Sequence, residues 1–333
     1  MVCKPRTCDI DFPNRCMLKC RMCHFGENAQ SVKPQEGLSK EKYREFLCEL
    51  KSFVDEDFQI SFGGGEPLLY SQNLFDIAEI CKELSFKSYF PTNAFLLDEE
   101  MAHKIAQSGI SSLGISLESL NKQTHDYIRG KDGCWDQVMK ALDYLKKYCP
   151  QVSVNILTII MGLNLDEIID LAKWVCNNPY LEGIVFQAIQ KPFGAHCSDD
   201  WYELDAYSGL WIKDISRGNT VIEELIKIKA SDEGKNKISN SIVQLRLFQE
   251  YFRDPAGMKR ISRCHMGDGV IRLDWNGDVV ICGDMDRIGN ITENGIKDIW
   301  YSQKADEVRN QIVECKKGCH NLINCFQDQT EGG

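Results

Sequence analysis

The sequence lacks a long uninterrupted apolar run. Its richest apolar stretch, residues 152–163, is broken by Ser153, Asn155 and Thr158, whereas a membrane-spanning helix needs about 20 consecutive apolar residues. The first residues also lack the apolar core of a secretion signal. We therefore expect a cytoplasmic protein that has no membrane partner.

An excess of basic charge is also missing. The 333 residues include 39 Lys and Arg against 49 Asp and Glu, which gives a net charge of −10. Proteins that bind nucleic acid without sequence preference carry a basic surface, so we expect no nucleic-acid partner. The apolar share of 43% is ordinary, and the length suits two domains or one large α/β unit.

One residue type is abundant, because the chain contains 16 cysteines. An even number would suit a disulfide scaffold in a short secreted chain, but this chain is long and carries no secretion signal. In a reducing compartment, thiols serve more often as metal ligands, nucleophiles or small core residues than as disulfides. The positions of the cysteines therefore decide their role.

Short apolar runs alternate with amphipathic segments between residues 8 and 189. The runs predict six strands, at residues 8–12, 58–62, 87–91, 111–117, 152–160 and 181–189. Helix patterns with apolar residues at i, i+3, i+4 and i+7 lie between them. This alternation implies a parallel sheet with right-handed crossovers. We predict an α/β fold, a partial (βα)6 TIM-like barrel over residues 1–195, with its active site at the carboxyl ends of the strands.

The pattern changes after residue 190. Residues 196–263 predict a helical linker, and residues 264–333 predict a small hairpin–helix domain that is rich in cysteine. The hairpin is expected to close at Asn276-Gly277, the preferred pair for a two-residue type I′ turn. Within the barrel, Asn164 and Glu167 predict a helix N-terminal capping pair.

Three cysteines, Cys16, Cys20 and Cys23, lie in the loop that is predicted to follow the first strand. Thiolates spaced this closely can wrap one inorganic cluster. A [4Fe–4S] cluster normally takes four cysteine ligands, so three would leave one iron open to an exogenous ligand. The alternative is a zinc site with a fourth ligand such as Cys8 or His24.

The C-x3-C-x2-C spacing after the first strand resembles the radical S-adenosylmethionine (SAM) superfamily. In that family SAM chelates the open iron, and its reductive cleavage gives a 5′-deoxyadenosyl radical that abstracts a substrate hydrogen. The resemblance implies a [4Fe–4S] cluster, SAM, and a reductase, flavodoxin or ferredoxin as electron donor. One position departs from the family, since Met22 replaces the usual aromatic residue before the third cysteine, but a thioether can also pack against adenine.

Further segments match the family in the expected order. Gly64-Gly65-Glu66-Pro67 resembles the GGEP motif, and three later segments resemble those that bind the ribose and carboxylate of SAM. Each polar residue alone is equally typical of a cap or a solvated turn. The resemblance implies that SAM is bound by Gly64, Gly65, Glu66, Asn93, Ser116, Glu118 and Arg129.

The C-terminal part resembles the opening of a SPASM or twitch domain, through Cys264-x2-Gly267 and Gly277-x4-Cys282. A full SPASM domain has seven cysteines and two auxiliary [4Fe–4S] clusters. Only five cysteines remain here. They are enough for one cluster with four cysteine ligands but not for two. The resemblance implies one auxiliary [4Fe–4S] cluster held by Cys264, Cys282 and two of the three cysteines Cys315, Cys319 and Cys325. We favour Cys315 and Cys319, and the alternative to the cluster is a structural zinc ion.

Two spare thiols, Cys197 and Cys325, are candidate hydrogen-atom donors to a substrate radical, a role known in epimerases of the family. The resemblance favours modification of a ribosomal peptide by epimerisation, cross-linking or oxidation. A sugar or aminocyclitol dehydrogenase or epimerase is the alternative, and a non-catalytic Fe–S or zinc scaffold is a third. No peptide-recognition domain precedes the predicted barrel, so a peptide substrate is expected to need a separate leader-binding protein or direct docking.

Overall fold

The computed structural model describes residues 4–26, 37–195, 197, 200–255, 264, 266–317 and 319–325. Its strands form one nine-stranded sheet in the order β6-β5-β4-β3-β2-β1-β7-β8-β9. The bounds are β1 Thr7–Asp11, β2 Gln59–Gly63, β3 Lys87–Thr92, β4 Ser112–Ser116, β5 Ser153–Ile160, β6 Gly183–Ala188, β7 Val270–Asp274, β8 Asp278–Val280 and β9 Gly289–Asn290.

The helices connect the parallel strands and then form the C-terminal part. They are α1 Lys40–Lys51, α2 Ser71–Glu83, α3 Glu99–Ser108, α4 Lys122–Arg129, α5 Cys134–Tyr148, α6 Ile168–Cys176, α7 Ile215–Ala230, α8 Ile242–Arg253, α9 Met266–Gly269, α10 Ile296–Trp300, α11 Gln303–Glu314 and α12 His320–Ile323. None of the helices in the described part of the chain is long and apolar enough to cross a membrane.

The six predicted strands are confirmed as a parallel run from β1 to β6, each end within two residues of its prediction. Side chains alternate along each strand between a buried face and a half-buried one. In β5, Val154, Ile156 and Ile160 are fully buried, and α5 buries Val138, Ala141, Leu142 and Leu145. The α/β class and the partial barrel of six βα units are therefore confirmed.

The C-terminal hairpin extends the same sheet. β7 pairs parallel with β1, so that Asp9 lies opposite Arg272 and Asp11 opposite Asp274. The alternation of burial puts these side chains on the half-buried face of the sheet. The predicted linker contains α7 and α8, and the division of the chain at residues 195 and 263 stays a prediction.

The predicted type I′ turn at Asn276-Gly277 is wrong. Pairing of Leu273 with Val279 leaves a longer turn. A type I′ turn needs a positive φ at both central residues. Gly277 has one, at 89°, but Asn276 does not, since Ser85 and Ala94 are the only described non-glycine residues with positive φ. Asp274 explains the difference, because its Oδ1 accepts the N–H groups of Asn276 and Asp278 at 2.9 Å each. The Gly277 N–H also donates to the Asp274 carbonyl at 3.0 Å, so the turn is centred on Trp275 and Asn276, one residue earlier than predicted.

Asparagine side chains cover the outer edge of β6 beyond Ile184, which forms a backbone bridge with Ile238. Asn240 exchanges two hydrogen bonds with the backbone of Phe186, at 2.7 and 2.8 Å. Asn324, near the C-terminus, does the same for Ala188 at 2.8 and 3.0 Å. The side-chain amides replace a neighbouring strand and protect an edge that would otherwise be open to aggregation.

Candidate functional site

The loop after β1 carries Cys16, Cys20 and Cys23 at the carboxyl end of the sheet, where the loop after β2 packs onto it. A Cβ atom at Gly64 would lie 2.1 Å from the carbonyl oxygen of Phe12, and one at Gly65 would lie 2.0 Å from that of Arg15. Gly64 also has a φ of 99°, which other residues rarely adopt. These glycines therefore allow close contact between the loops that follow β1 and β2.

All three thiols of this loop are half-buried. Burial raises the pKa of Cys16 and of Cys23 to about 11. Burial also raises the pKa of Cys20, although the neighbouring Arg129 opposes the shift. Such thiols ionise readily only when a strong positive centre binds them. The donor set therefore fits a cationic metal cluster.

Glu66 joins the ends of β2 and β3. Its buried carboxylate accepts hydrogen bonds from Thr92 Oγ1 at 2.7 Å, from the Leu68 N–H at 3.1 Å and from the Asn93 N–H at 2.9 Å. Asn93 in turn places its Nδ2 3.5 Å from Cys16 Sγ. Although burial raises the pKa of Glu66, the three donors oppose that shift. Glu66 thus holds Asn93 against the cysteine loop.

Glu118 and Arg129 form a buried ion pair beside Cys20. Arg129 Nη2 lies 2.5 Å from Glu118 Oε1, and its Nη1 lies 3.9 Å from Cys20 Sγ. The other Glu118 oxygen accepts the Ile159 N–H at 2.9 Å. Arg129 Nε is buried and has no hydrogen-bond partner among the described residues. An unpaired guanidinium donor of this kind fits an incoming carboxylate.

Two residues that support Glu118 were missed as site residues. His125 Nδ1 accepts the Glu118 N–H at 3.1 Å, which requires a neutral ring, and burial together with Arg129 lowers its pKa to about 3. Asn164 donates to the Glu118 carbonyl at 2.9 Å. The predicted cap at Asn164 is wrong, because its side chain makes no capping bond. The sequence shows that both residues are polar, but it does not show that both contact Glu118.

We call this set of residues the strand-edge site: Cys16, Cys20, Cys23, Gly64, Gly65, Glu66, Asn93, Ser116, Glu118 and Arg129. Ser116 ends β4, two residues before Glu118. The structure therefore brings the predicted SAM-binding residues to the same edge as the three cysteines.

A second set of thiols surrounds one pocket in the C-terminal part. Cys264, Cys282, Cys315 and Cys319 all line it, together with Asp284, Met285 and other residues. Burial raises the pKa of Cys282 and of Cys319. We call this the four-cysteine pocket. It joins the four thiols that were predicted to bind an auxiliary cluster.

The two candidate hydrogen-atom donors are not among the residues that line the four-cysteine pocket. Burial, followed by Asp9, raises the pKa of Cys325 to about 11; Arg272 opposes the shift, while Cys319 and Cys264 add to it. Cys325 therefore lies near the half-buried face of β1 and β7 and also near two thiols of the four-cysteine pocket. Cys197 follows β6, and its carbonyl accepts Lys191 Nζ at 3.2 Å. Their catalytic roles stay predictions. Within the described residues, no three Cys, His, Asp or Glu side chains converge on the position of a single metal ion.

Two protein-family models match the chain. The radical SAM superfamily model matches residues 10–175, and the SPASM model, an iron–sulfur cluster-binding domain, matches residues 264–325. The first contains every residue of the strand-edge site, and the second contains the four-cysteine pocket.

Curated relatives match at moderate identity. Mycofactocin maturase MftC of Mycolicibacterium smegmatis is 27% identical over 304 residues, which are 88% of this chain and 70% of that protein. A GTP 3′,8-cyclase of Sulfurovum is 27% identical over 293 residues, 85% of this chain and 81% of that protein. Six other relatives are matched over only 31% to 56% of their own length.

Solved structures share the fold. SuiB of Streptococcus suis bound to S-adenosylmethionine matches with a TM-score of 0.68 at 18% identity, over 92% of this chain and 68% of that one. Native anSMEcpe with bound AdoMet and Cp18Cys peptide matches with a TM-score of 0.65 at 17% identity, over 96% and 88%. On the two family models, the chain belongs to the radical SAM superfamily and carries a SPASM domain. Its cofactors are a [4Fe–4S] cluster that binds SAM and auxiliary iron–sulfur clusters in the SPASM domain.

Proposed function

We propose that this protein is a cytoplasmic enzyme that reductively cleaves SAM and uses the 5′-deoxyadenosyl radical to abstract hydrogen from a peptide. The observation that carries the proposal is the strand-edge site, where three half-buried thiols lie beside a buried Glu118–Arg129 pair. When bound there, the cluster and SAM supply the radical chemistry.

The chain's own residues bind and orient these groups in the proposal. Cys16, Cys20 and Cys23 hold the cluster and leave one iron open. Arg129 offers its unpaired Nε to the SAM carboxylate, while Glu118 fixes the guanidinium through Nη2. Gly64 and Gly65 keep the two loops together, and Glu66 positions Asn93. Ser116 contributes to the ribose contacts.

The four-cysteine pocket holds one auxiliary [4Fe–4S] cluster in this proposal. Cys264, Cys282, Cys315 and Cys319 supply the four thiolates that such a cluster takes. Cys325, which lies outside the residues that line the pocket, stays available as a thiol donor. A second thiol, Cys197, follows β6 on the side of the strand-edge site.

Several relatives favour a peptide substrate. SuiB has been solved with its precursor peptide SuiA, anSMEcpe with the Cp18Cys peptide, and the MftC match spans most of both chains. A peptide of this kind would be delivered directly or by a separate leader-binding protein. The match to a GTP 3′,8-cyclase over 85% of this chain favours a small-molecule substrate as the second candidate.

Iron content and SAM cleavage test the cofactor part of the proposal. After anaerobic reconstitution we expect about eight irons per chain, four for each cluster, and 5′-deoxyadenosine after reduction with dithionite. The triple variant Cys16→Ala/Cys20→Ala/Cys23→Ala should bind about four irons and form no 5′-deoxyadenosine. Cys48→Ala, at an exposed thiol of α1, is the matched control. Bound zinc without iron–sulfur absorption would contradict the proposal.

Mass spectrometry distinguishes the two substrate classes. A short peptide encoded beside the gene, incubated with the reconstituted enzyme and SAM, should change in mass or incorporate solvent deuterium at an α-carbon. Epimerisation through a thiol donor predicts that Cys325→Ala or Cys197→Ala lowers the product yield without lowering 5′-deoxyadenosine formation. A product formed only from a nucleotide or sugar would favour the second candidate.

A further inference from the structure

The loop that carries the three cysteines is basic within an acidic protein. Residues 13–26 include Arg15, Lys19 and Arg21 but neither Asp nor Glu, although the whole chain has a net charge of −10. Lys19 and Arg21 are exposed and immediately flank Cys20 in the sequence. Two solvent-exposed positive charges therefore lie next to a proposed cluster ligand.

Arg21 is held in place on the surface. Its guanidinium lies 3.6 Å above the centre of the Tyr127 ring, and its Nε donates to the Tyr127 carbonyl at 3.1 Å. The Arg21 N–H also donates to the Ile128 carbonyl at 2.9 Å. Tyr127 as a whole is 53% exposed. A cation fixed on an exposed ring loses little conformational entropy when a partner covers it.

Lys131 belongs to the same surface. It follows Gly130, where a Cβ atom would lie 2.0 Å from the Lys19 carbonyl oxygen, so the two segments are in direct contact. Lys131 Nζ lies 4.2 Å above the Phe95 ring. Among the described residues, no ion pair joins Lys19, Arg21 or Lys131 to a carboxylate, and Asp132 is the one acidic neighbour in the sequence from 127 to 133.

We propose that Lys19, Arg21, Lys131 and the Tyr127 ring, here called the basic patch, form the docking surface for an acidic electron-transfer protein of the flavodoxin or ferredoxin class. The inference rests on the proposed function, because reductive SAM cleavage takes one electron from outside the chain. The donor is oxidised by one electron, and the cluster held by Cys16, Cys20 and Cys23 is reduced by one.

The charge distribution favours this partner. A protein with excess negative charge repels an acidic donor over most of its surface, so a local positive patch directs the encounter to one place. Cys20 lies at this patch, since both of its sequence neighbours are exposed. A donor that docks here lies close to the cluster and does not occupy the place proposed for SAM.

The test compares the double charge reversal Lys19→Glu/Arg21→Glu with the control Lys87→Glu, at an exposed lysine that begins β3 at the opposite edge of the sheet. Binding of a purified, acidic flavodoxin is measured by surface plasmon resonance at low and high NaCl. We expect the double variant to bind about tenfold more weakly at low salt and to lose the salt dependence. The neutral pair Lys19→Gln/Arg21→Gln should show an intermediate weakening, and Lys87→Glu should bind like the wild type.

Two reductants separate this inference from the proposed function. SAM cleavage driven by reduced flavodoxin should fall in the double variant, while cleavage driven by dithionite, which needs no docking, should remain. Equal flavodoxin affinity and salt dependence in wild type and double variant would overturn the basic patch. Absence of SAM cleavage with dithionite in the wild type would instead refute the proposed function, and the binding measurement would still test the patch.

Discussion

At the strand-edge site the three thiols come from one loop, Cys16 to Cys23, whereas the thiols of the four-cysteine pocket come from positions between Cys264 and Cys319. The first set is braced by buried carboxylates, Glu66 and Glu118, that bind backbone and side chains from several strands. The second set lies at a hairpin end and around two short helices. A site braced by hydrogen bonds can exist before its metal arrives, but a site gathered from distant segments depends on the metal to hold them.

This difference predicts that loss of metal destabilises the four-cysteine pocket more than the strand-edge site. It is the largest effect that we expect. The variant Cys264→Ser/Cys282→Ser should lose amide protection in α11 by about a thousandfold, or about 4 kcal/mol, because metal binding there contributes to local folding. The triple variant Cys16→Ser/Cys20→Ser/Cys23→Ser should change protection in β1 to β5 by less than about 1 kcal/mol.

Hydrogen exchange followed by mass spectrometry, on anaerobically reconstituted protein, measures both effects. Cys48→Ser serves as the control for cysteine replacement at an exposed position. Similar losses of protection in the two variants, or a larger loss in β1 to β5, would show that the two sites do not differ in this way.

The bracing of the strand-edge site can be removed at Arg129. Arg129→Met leaves the Glu118 carboxylate buried without its cationic partner, and we expect the free energy of unfolding to fall by about 3 kcal/mol. The double variant Arg129→Met/Glu118→Gln removes the uncompensated charge and should recover part of that loss. Denaturant titration of the metal-free proteins measures both values. A fall of less than about 1 kcal/mol in Arg129→Met would mean that the pair does not brace the site.

Much of the strand-edge site could be predicted because its residues follow strands that the apolar pattern identifies. Local sequence also placed Cys16, Cys20 and Cys23 in one loop. The bracing could not be predicted in the same way, since His125 and Asn164 meet Glu118 only through folding. The parallel pairing of β7 with β1 was likewise missed, because the partners are more than 250 residues apart, and no local pattern encodes such a pairing.

The two regions meet where β1 pairs with β7, and Asp9 makes that junction sensitive to pH. Burial, followed by the neighbouring Asp11, raises the pKa of Asp9 to about 6, compared with about 3.9 in an unfolded chain. The folded state therefore binds a proton that the unfolded state has already released, so this group's contribution to stability falls as the pH rises from about 4 to 6.

Replacing Asp9 with Asn removes this cost. Asp9→Asn should raise the free energy of unfolding by about 2 kcal/mol at pH 8, relative to its effect at pH 4, as measured by urea titration across this range. Asp55→Asn is the control, because it breaks only the exposed pair with Lys4 and should change the free energy of unfolding by less than about 0.5 kcal/mol at either pH. Equal effects of Asp9→Asn at both pH values would contradict the assigned shift.

The smallest effect is expected at the contact between α1 and α10, which also joins the two regions. The Glu49 carboxylate accepts the N–H groups of Ile296 at 2.9 Å and Lys297 at 3.2 Å, in the first turn of α10. Glu49→Gln keeps the shape but weakens these charge-assisted bonds, so it should cost about 1 kcal/mol. Glu45→Gln on the same helix breaks only the exposed pair with Lys42 and should cost less than about 0.5 kcal/mol.

If the C-terminal region opens as a separate unit, Glu49→Gln will raise hydrogen exchange in α10 and α11 but not in α1. Equal increases in α1 and α11 would show instead that the two regions unfold together, because the contact would then stabilise both sides alike.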